Sequence, residues 1–171
     1  MRATAFILAA LATASCTTAP PVRPAAAPPP RAVARSPAPV PLAADWRDWP
    51  MTPGTWRYAA DARGSAATFG QVGAPAAVLR CDRQGGRIFL SVAGATSGML
   101  TVRTSSISRT VPGGATGGVP PYVAATLAVG DPLLDAIAFS RGRFALSRTG
   151  ARPIVLPAWA EVGRVIEDCR P

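Results

Sequence analysis

Residues 76–93 read AAVLRCDRQGGRIFLSVA, and this stretch decides the fold class. Residues 76–82 and 87–93 each alternate like a β-strand, and Gln84-Gly85-Gly86 between them has turn chemistry. In the second segment, Ile, Leu and Val alternate with residues of mixed polarity, so one face of the strand is apolar. The stretch therefore predicts an antiparallel β-hairpin with one buried face.

Short segments of the same kind recur along the chain, separated by turns rich in Gly and Pro. They lie at residues 55–61, 66–70, 98–104, 107–111, 122–129, 143–148 and 153–156. Residues 112–121, PGGATGGVPP, read as a flexible connection between two of these segments. Many short strands joined by Gly-rich turns are typical of an antiparallel sandwich or barrel.

A helix is predicted to interrupt the strands in the second half of the chain. Asp131 is a favourable N-cap residue and Pro132 suits the first helical position, so we expect a helix over residues 133–141. Gly142 follows as a residue that ends helices. A hairpin through residues 140–143 is the alternative for this segment.

A second helix is predicted over residues 157–168, at the end of the chain. Trp159, Val162 and Ile166 are spaced three and four residues apart, and Cys169 continues the same apolar face. We therefore expect a mainly β domain, an antiparallel sandwich or barrel-like fold with one or two short helices. The C-terminal helix should pack on the sheet.

The N-terminal part of the chain has the features of an export signal and a tether. Residues 1–15 place Arg2 before a short apolar run and small residues, as a secretory signal peptide does. Thr-Ala-Ser before Cys16 resembles a bacterial lipobox, which predicts lipidation of Cys16; an ordinary A-x-A cleavage site is the alternative. Residues 16–44 should form the lipid-attachment site and a disordered Pro/Ala-rich stalk, and residues 45–171 a β-rich globular domain.

The number of cysteines agrees with this organisation. The chain has three cysteines, and lipidation of Cys16 leaves Cys81 and Cys169. A pair of this kind persists as a disulfide in an oxidising compartment. Alternation places Cys81 on the apolar face of its strand, and Cys169 follows the predicted C-terminal helix. We predict a Cys81–Cys169 disulfide that fixes this helix over the sheet; two buried free thiols are the alternative.

The composition excludes several classes of catalysis. The chain has neither His nor Lys, which excludes Ser-His-Asp catalysis, ordinary zinc sites and P-loop phosphate binding. Asp131 and Asp135 are four residues apart, but helix capping and the helix dipole explain both. We therefore expect no catalytic residues, no metal and no cofactor.

The positive charge of the chain indicates an anionic partner. All 18 cationic side chains are Arg and the net charge is +9, and a guanidinium group binds phosphate or carboxylate as a fork. Export removes nucleic acid from the possible partners. The candidate binding residues are Arg80, Arg83, Arg87, Trp46 and Trp49. Arg141, Arg143 and Arg148 form a second basic group. The alternatives are a solvated basic surface and a Trp pair that seals the sheet edge.

Several short motifs resemble those of small β-sandwich proteins of the proteobacterial envelope. They are Trp56, Leu79-Arg80-Cys81, Val102-Arg103, residues 144–146 and Cys169. The pattern is similar to the invasion-associated locus B type and to type VI secretion-associated lipoproteins, and also to uncharacterised envelope lipoproteins of α-proteobacteria. The resemblance implies a β-sandwich fold and a location in the cell envelope.

These features together predict a non-enzymatic envelope lipoprotein that binds or scaffolds a periplasmic partner or an anionic envelope component. A lipid on Cys16 would anchor it, with the outer membrane favoured over the inner one. A soluble periplasmic or secreted protein is the alternative location. The alternative functions are a periplasmic glycan hydrolase that uses Asp or Glu, and a proteinaceous enzyme inhibitor.

Overall fold

A computed structural model describes residues 41–171, which contain nine β-strands and two α-helices. The elements are β1 Trp56–Asp61, β2 Gly64–Gln71, β3 Ala74–Asp82, β4 Arg87–Ala93, β5 Gly98–Arg103, β6 Ser108–Ala115, β7 Tyr122–Ala128, α1 Pro132–Ala138, β8 Arg143–Arg148, β9 Ile154–Pro157 and α2 Ala160–Cys169. The predicted Cys16 and most of the predicted tether lie outside the described residues. The mainly β fold class is confirmed.

The nine strands form one curled, antiparallel half-barrel in the order β1-β2-β3-β4-β7-β6-β5-β8-β9. The sheet turns a corner at β6, which pairs with β5 over residues 108–113 and with β7 only through Gly114 and Ala115. A Cβ on Gly113 would lie 2.6 Å from Cγ1 of Val123. Glycine at this position therefore allows β6 to approach β7 closely enough to bend the sheet.

The chain before β1 connects the two edge strands of the half-barrel. The Thr52 N–H donates to the Val155 carbonyl at 2.9 Å, and the Val155 N–H donates to the Thr52 hydroxyl at 3.0 Å. The Trp56 indole N–H donates to the Pro157 carbonyl at 2.8 Å. These bonds satisfy some of the backbone N–H and carbonyl groups that β9 would otherwise leave unpaired at the edge of the sheet.

The core lies between the concave face of the sheet and the two helices. Trp56 packs edge-on against Phe69, with ring centroids 5.2 Å apart, and stacks on Phe144 at 6.5 Å. Each helix contributes an apolar face that is buried in this core. These faces consist of Leu133, Leu134 and Ile137 in α1 and of Val162, Val165, Ile166 and Cys169 in α2. The predicted packing of the C-terminal helix on the sheet is confirmed.

The predicted disulfide is confirmed. Cys81 in β3 and Cys169 at the end of α2 are bonded, with their Cα atoms 5.4 Å apart and 88 positions between them in sequence. Gly64 in β2 lies directly against this bond, at a φ of +149°. A Cβ on Gly64 would lie 2.5 Å from the Cys81 carbonyl oxygen, so this position accepts only glycine without a shift of the backbone.

The structure corrects the predicted flexible connection and the extent of both helices. Residues 112–115 belong to β6, because residues 112 and 113 pair with β5 and residues 114 and 115 pair with β7. This pairing outweighs the low strand propensity of glycine. The α1 helix ends at Ala138, before the buried Ser140, whose hydroxyl oxygen accepts from the Ser105 N–H at 2.9 Å. The alternative of a hairpin in place of this helix is wrong.

The second helix begins later than predicted, and Trp159 does not belong to its buried face. Pro157 pairs with Arg143 as part of β9, so α2 starts only at Ala160. Trp159 is the N-cap residue and is 46% exposed. Among the described residues no helix is long and apolar enough to cross a membrane.

Candidate binding sites

Each of the three arginines predicted around the first hairpin contacts a different partner. Arg80 pairs with Asp61 at 2.7 Å, and the hydrogen bond from Arg80 lowers the pKa of Asp61 below its ordinary value. The Arg83 Nε donates to the carbonyl of Asp168 at 3.2 Å, near the end of α2. Arg87 donates to a carbonyl in its own turn. The three side chains thus have three different partners, and the binding site predicted at these arginines stays a prediction.

Three other arginines lie around a common hollow. Arg47, Arg141 and Arg143, with Trp46 and Ser105, line a hollow of about 310 Å³ that we call the arginine hollow. Its walls come from a short 3-10 turn before β1, the segment before β6, and the connection between α1 and β8. The sequence analysis grouped Arg141 and Arg143 with Arg148. The Arg148 guanidinium lies instead against Gly94.

Hydrogen bonds hold the walls of the arginine hollow in place. Asp45 caps the 3-10 turn by accepting from the Arg47 N–H at 2.9 Å. The Arg143 guanidinium donates to the carbonyls of Arg47 at 3.0 Å and Trp49 at 3.2 Å, which fixes the turn to the start of β8. The Arg141 N–H donates to the hydroxyl of Ser105 at 3.0 Å.

The arginine hollow has a strongly positive lining. None of the carboxylates of residues 41–171 lines it, and the partners of Arg143 are neutral carbonyls that leave its charge uncompensated. Arg47 is 3.5 Å from Asp45, but both side chains are about half exposed, so solvent screens this pair. Arginines that line one hollow are suited to bind a phosphate or carboxylate through charge-assisted hydrogen bonds.

The two candidate tryptophans lie on different sides of the 3-10 turn. Trp46 lines the arginine hollow, and the Arg47 guanidinium lies 5.3 Å from its ring centroid. Trp49 donates its indole N–H to the Ala43 carbonyl at 2.8 Å, and Arg103 lies 5.7 Å from its ring centroid. Of the two, only Trp46 belongs to the hollow that the three arginines line.

A second and larger hollow runs along the exposed side of α2. We call it the α2 groove; it has a volume of about 710 Å³, and its lining includes Tyr58, Phe139, Trp159, Gly163 and Glu167. Phe139 is 79% exposed and Trp159 is 46% exposed. Leu133 and Ile137 are four residues apart on the buried face of α1, and Phe139 does not continue that spacing. This departure from the helical pattern is the sequence signal that could have predicted an exposed Phe139.

Several charged side chains of the α2 groove have partners within it. Tyr58 donates its hydroxyl to Asp168 at 2.7 Å, and this hydrogen bond lowers the pKa of Asp168 below its ordinary value. The Arg164 guanidinium lies 4.2 Å from the Tyr58 ring centroid. Asp135 pairs with Arg170 at 2.8 Å. A glycosidase needs one carboxyl with a raised pKa as its general acid, whereas the shift at Asp168 favours the ionised form.

Comparison with known proteins gives no match: no family model, no curated protein sequence and no solved structure is similar to this chain. The resemblance of its short motifs to proteobacterial envelope proteins therefore stays a prediction. Function has to be argued from the arginine hollow and the α2 groove themselves.

Proposed function

We propose that this protein is a non-enzymatic lipoprotein of the bacterial cell envelope. A lipid on Cys16 anchors it, residues 16–44 act as a tether, and residues 45–171 form a periplasmic binding domain. The outer membrane is favoured over the inner one. The disulfide between β3 and α2 supports this location, because disulfides persist outside the reducing cytoplasm.

The domain binds a phosphate- or carboxylate-bearing component of the envelope in the arginine hollow. The observation that carries this proposal is that Arg47, Arg141 and Arg143 line one hollow to which residues 41–171 contribute no carboxylate. Trp46 adds an aromatic face beside the Arg47 guanidinium. Phosphates of lipid headgroups are the most abundant ligands of this chemistry at a membrane surface, where each nearby Arg contributes about 1 kcal/mol of attraction.

The proposal is tested with the full chain carrying Cys16→Ser, so that a lipid anchor does not contribute to binding. Vesicles of phosphatidylcholine with phosphatidylglycerol are compared with vesicles of phosphatidylcholine alone in a sedimentation assay. We expect binding only to the anionic vesicles, with an affinity that falls as salt rises. Arg141→Gln and Arg47→Gln should each weaken binding about fivefold, which corresponds to the loss of about 1 kcal/mol.

Arg87→Gln is the matched control, because Arg87 does not line the arginine hollow and donates to the Gly85 carbonyl in its own turn. It should leave the affinity unchanged if the arginine hollow is the site. Inorganic phosphate as a competitor distinguishes a free anion site from a headgroup site. An equal loss of affinity in Arg87→Gln and Arg141→Gln would refute the arginine hollow as the binding site.

A further inference from the structure

The α2 groove presents two exposed aromatic rings that the proposed anion site does not use. Phe139 and Trp159 line the same groove, and both are far more exposed than the aromatic residues of the core. Exposed aromatic rings that share one hollow mark interaction surfaces, because their burial against a partner is strongly favourable. The surface therefore needs a partner whose chemistry fits the whole groove.

The groove reverses the charge of the rest of the domain. Four carboxylates line it, those of Asp135, Glu161, Glu167 and Asp168, against two guanidinium groups, those of Arg164 and Arg170. All other charged residues of the described chain together are strongly basic. Within residues 41–171, Glu161 and Glu167 form no ion pair. The partner should therefore be cationic.

The secondary structure of the groove decides which peptide conformation fits. Helices α1 and α2 form much of the lining, and their backbone groups are largely bonded within each helix. An added β-strand would have only the edge strand β1 to pair with, and β1 contributes Tyr58 alone to the lining. Charged side chains interrupt the apolar surface, which is unsuited to an amphipathic helix. A polyproline II helix needs no backbone partner and packs its rings on aromatic side chains.

We propose that the α2 groove binds an extended, proline-rich segment of a partner protein that carries arginine. Its proline rings pack on Phe139 and Trp159, and its guanidinium groups pair with Glu161 and Glu167. Gly163 lies between these groups and has open space where a Cβ would be, so it leaves room for the segment. This site is separate from the arginine hollow and has the opposite charge preference.

The test measures binding of a fluorescent peptide that repeats proline–proline–arginine to the purified full chain by fluorescence anisotropy. Phe139→Ala and Trp159→Ala should each weaken binding roughly tenfold, as the loss of a central aromatic contact does. Both rings are exposed and the Trp159 side chain makes no capping hydrogen bond, so neither change removes a core contact. Val72→Ala is the matched control, since Val72 is an 84% exposed apolar residue in the β2–β3 turn.

Two further peptides separate the contributions of charge and of conformation. A proline–proline–glutamate repeat should not bind, and Glu161→Arg with Glu167→Arg should weaken the arginine peptide at least tenfold. A glycine–serine–arginine repeat, which keeps the charge without the polyproline conformation, should bind at least tenfold more weakly. Equal binding of the two arginine peptides means that charge alone acts, and it overturns the proposal.

A photo-crosslinking amino acid in place of Ala160, an exposed residue of the groove lining, locates the bound peptide. A crosslink from this position to the proline–proline–arginine peptide supports the proposal. Crosslinks only between two copies of the chain would assign the surface to self-association. Displacement of the peptide by tetramethylammonium would indicate a small-cation site, and displacement by a neutral chitin oligosaccharide would indicate a glycan site. Any of these three results, or full binding by the Phe139→Ala and Trp159→Ala variants, overturns the proposal.

Discussion

Removal of the Cys81–Cys169 disulfide should cost the domain a large part of its stability. The two residues are 88 positions apart, and the loop-entropy model assigns about 4.6 kcal/mol at 25 °C to a closed loop of that length. Domains have total unfolding free energies of about 5–15 kcal/mol. The covalent link between β3 and α2 therefore accounts for about 30% or more of a typical total.

The measurement is urea unfolding of the native and the reduced chain, followed by tryptophan fluorescence. With a slope of about 1.5 kcal/mol/M, a loss of 4.6 kcal/mol lowers the unfolding midpoint by about 3 M. The reduced chain isolates the effect of the bond, because it keeps both sulfur atoms. The Cys81→Ala, Cys169→Ala double variant should lose slightly more, since both side chains are buried and their truncation removes apolar contacts.

The buried residues Val162, Val165 and Ile166 still hold α2 on the sheet after reduction. We therefore expect the reduced chain to keep its far-ultraviolet circular dichroism below the new midpoint. A loss below about 1 kcal/mol on reduction would refute the reasoning, because it would mean that the unfolded chain gains little freedom when the long loop opens.

Three further results follow from the structure and the sequence. Gly64→Ala should lower the unfolding free energy by about 2 kcal/mol or more, because the new Cβ meets the Cys81 carbonyl at a positive φ; thermal unfolding measures it. Asp131→Ala should cost about 1–2 kcal/mol at pH 7, because Asp131 caps α1 and pairs with Arg109 at 2.6 Å. The hydrogen bond from Arg109 lowers the pKa of Asp131 below 3.8, so this stabilisation is complete above that pH and is lost as the pH falls further; urea unfolding at several pH values measures it. Cys16→Ser should release the protein from membranes, as fractionation and the mass of the acyl chains would show.

Each of these results has its own control. Gly98→Ala should be nearly neutral, because no atom lies within 4 Å of its Cβ position and its φ is not positive. A difference between native chain and Asp131→Ala that grows below pH 3.8 would contradict the role of the ionised carboxylate. A mature N-terminus at Ser15, with an unmodified Cys16, would contradict lipidation.

Local patterns were sufficient to predict most strands and the disulfide. The alternation in residues 76–93 depends only on each strand having one buried face, and β3 and β4 form there as expected. The Cys81–Cys169 pair followed from the number of cysteines and the expected compartment, and the structure confirms it. The start of α1 at Asp131-Pro132 could also be predicted from local sequence, because an N-cap residue bonds only to backbone groups a few positions along the chain.

Features that depend on distant residues could not be read from the sequence. The pairing of β4 with β7 across two intervening strands, and the strand character of residues 112–115, are set by neighbours in the sheet. The arginine hollow joins the 3-10 turn to Arg143, whose guanidinium bonds the Arg47 carbonyl 96 positions away. No spacing pattern in a sequence reports such a contact.

The hydrogen bonds that join the chain before β1 to β9 also set an order of events during synthesis. Ribosomes make Thr52 and Trp56 about a hundred residues before their partners Val155 and Pro157. Until residues 155–169 have been made, Thr52 and Trp56 therefore lack these partners, and the Cys81 thiol has no Cys169 to join. Native closure of this domain waits for those residues, which gives any factor that accompanies the growing chain a long interval in which to act.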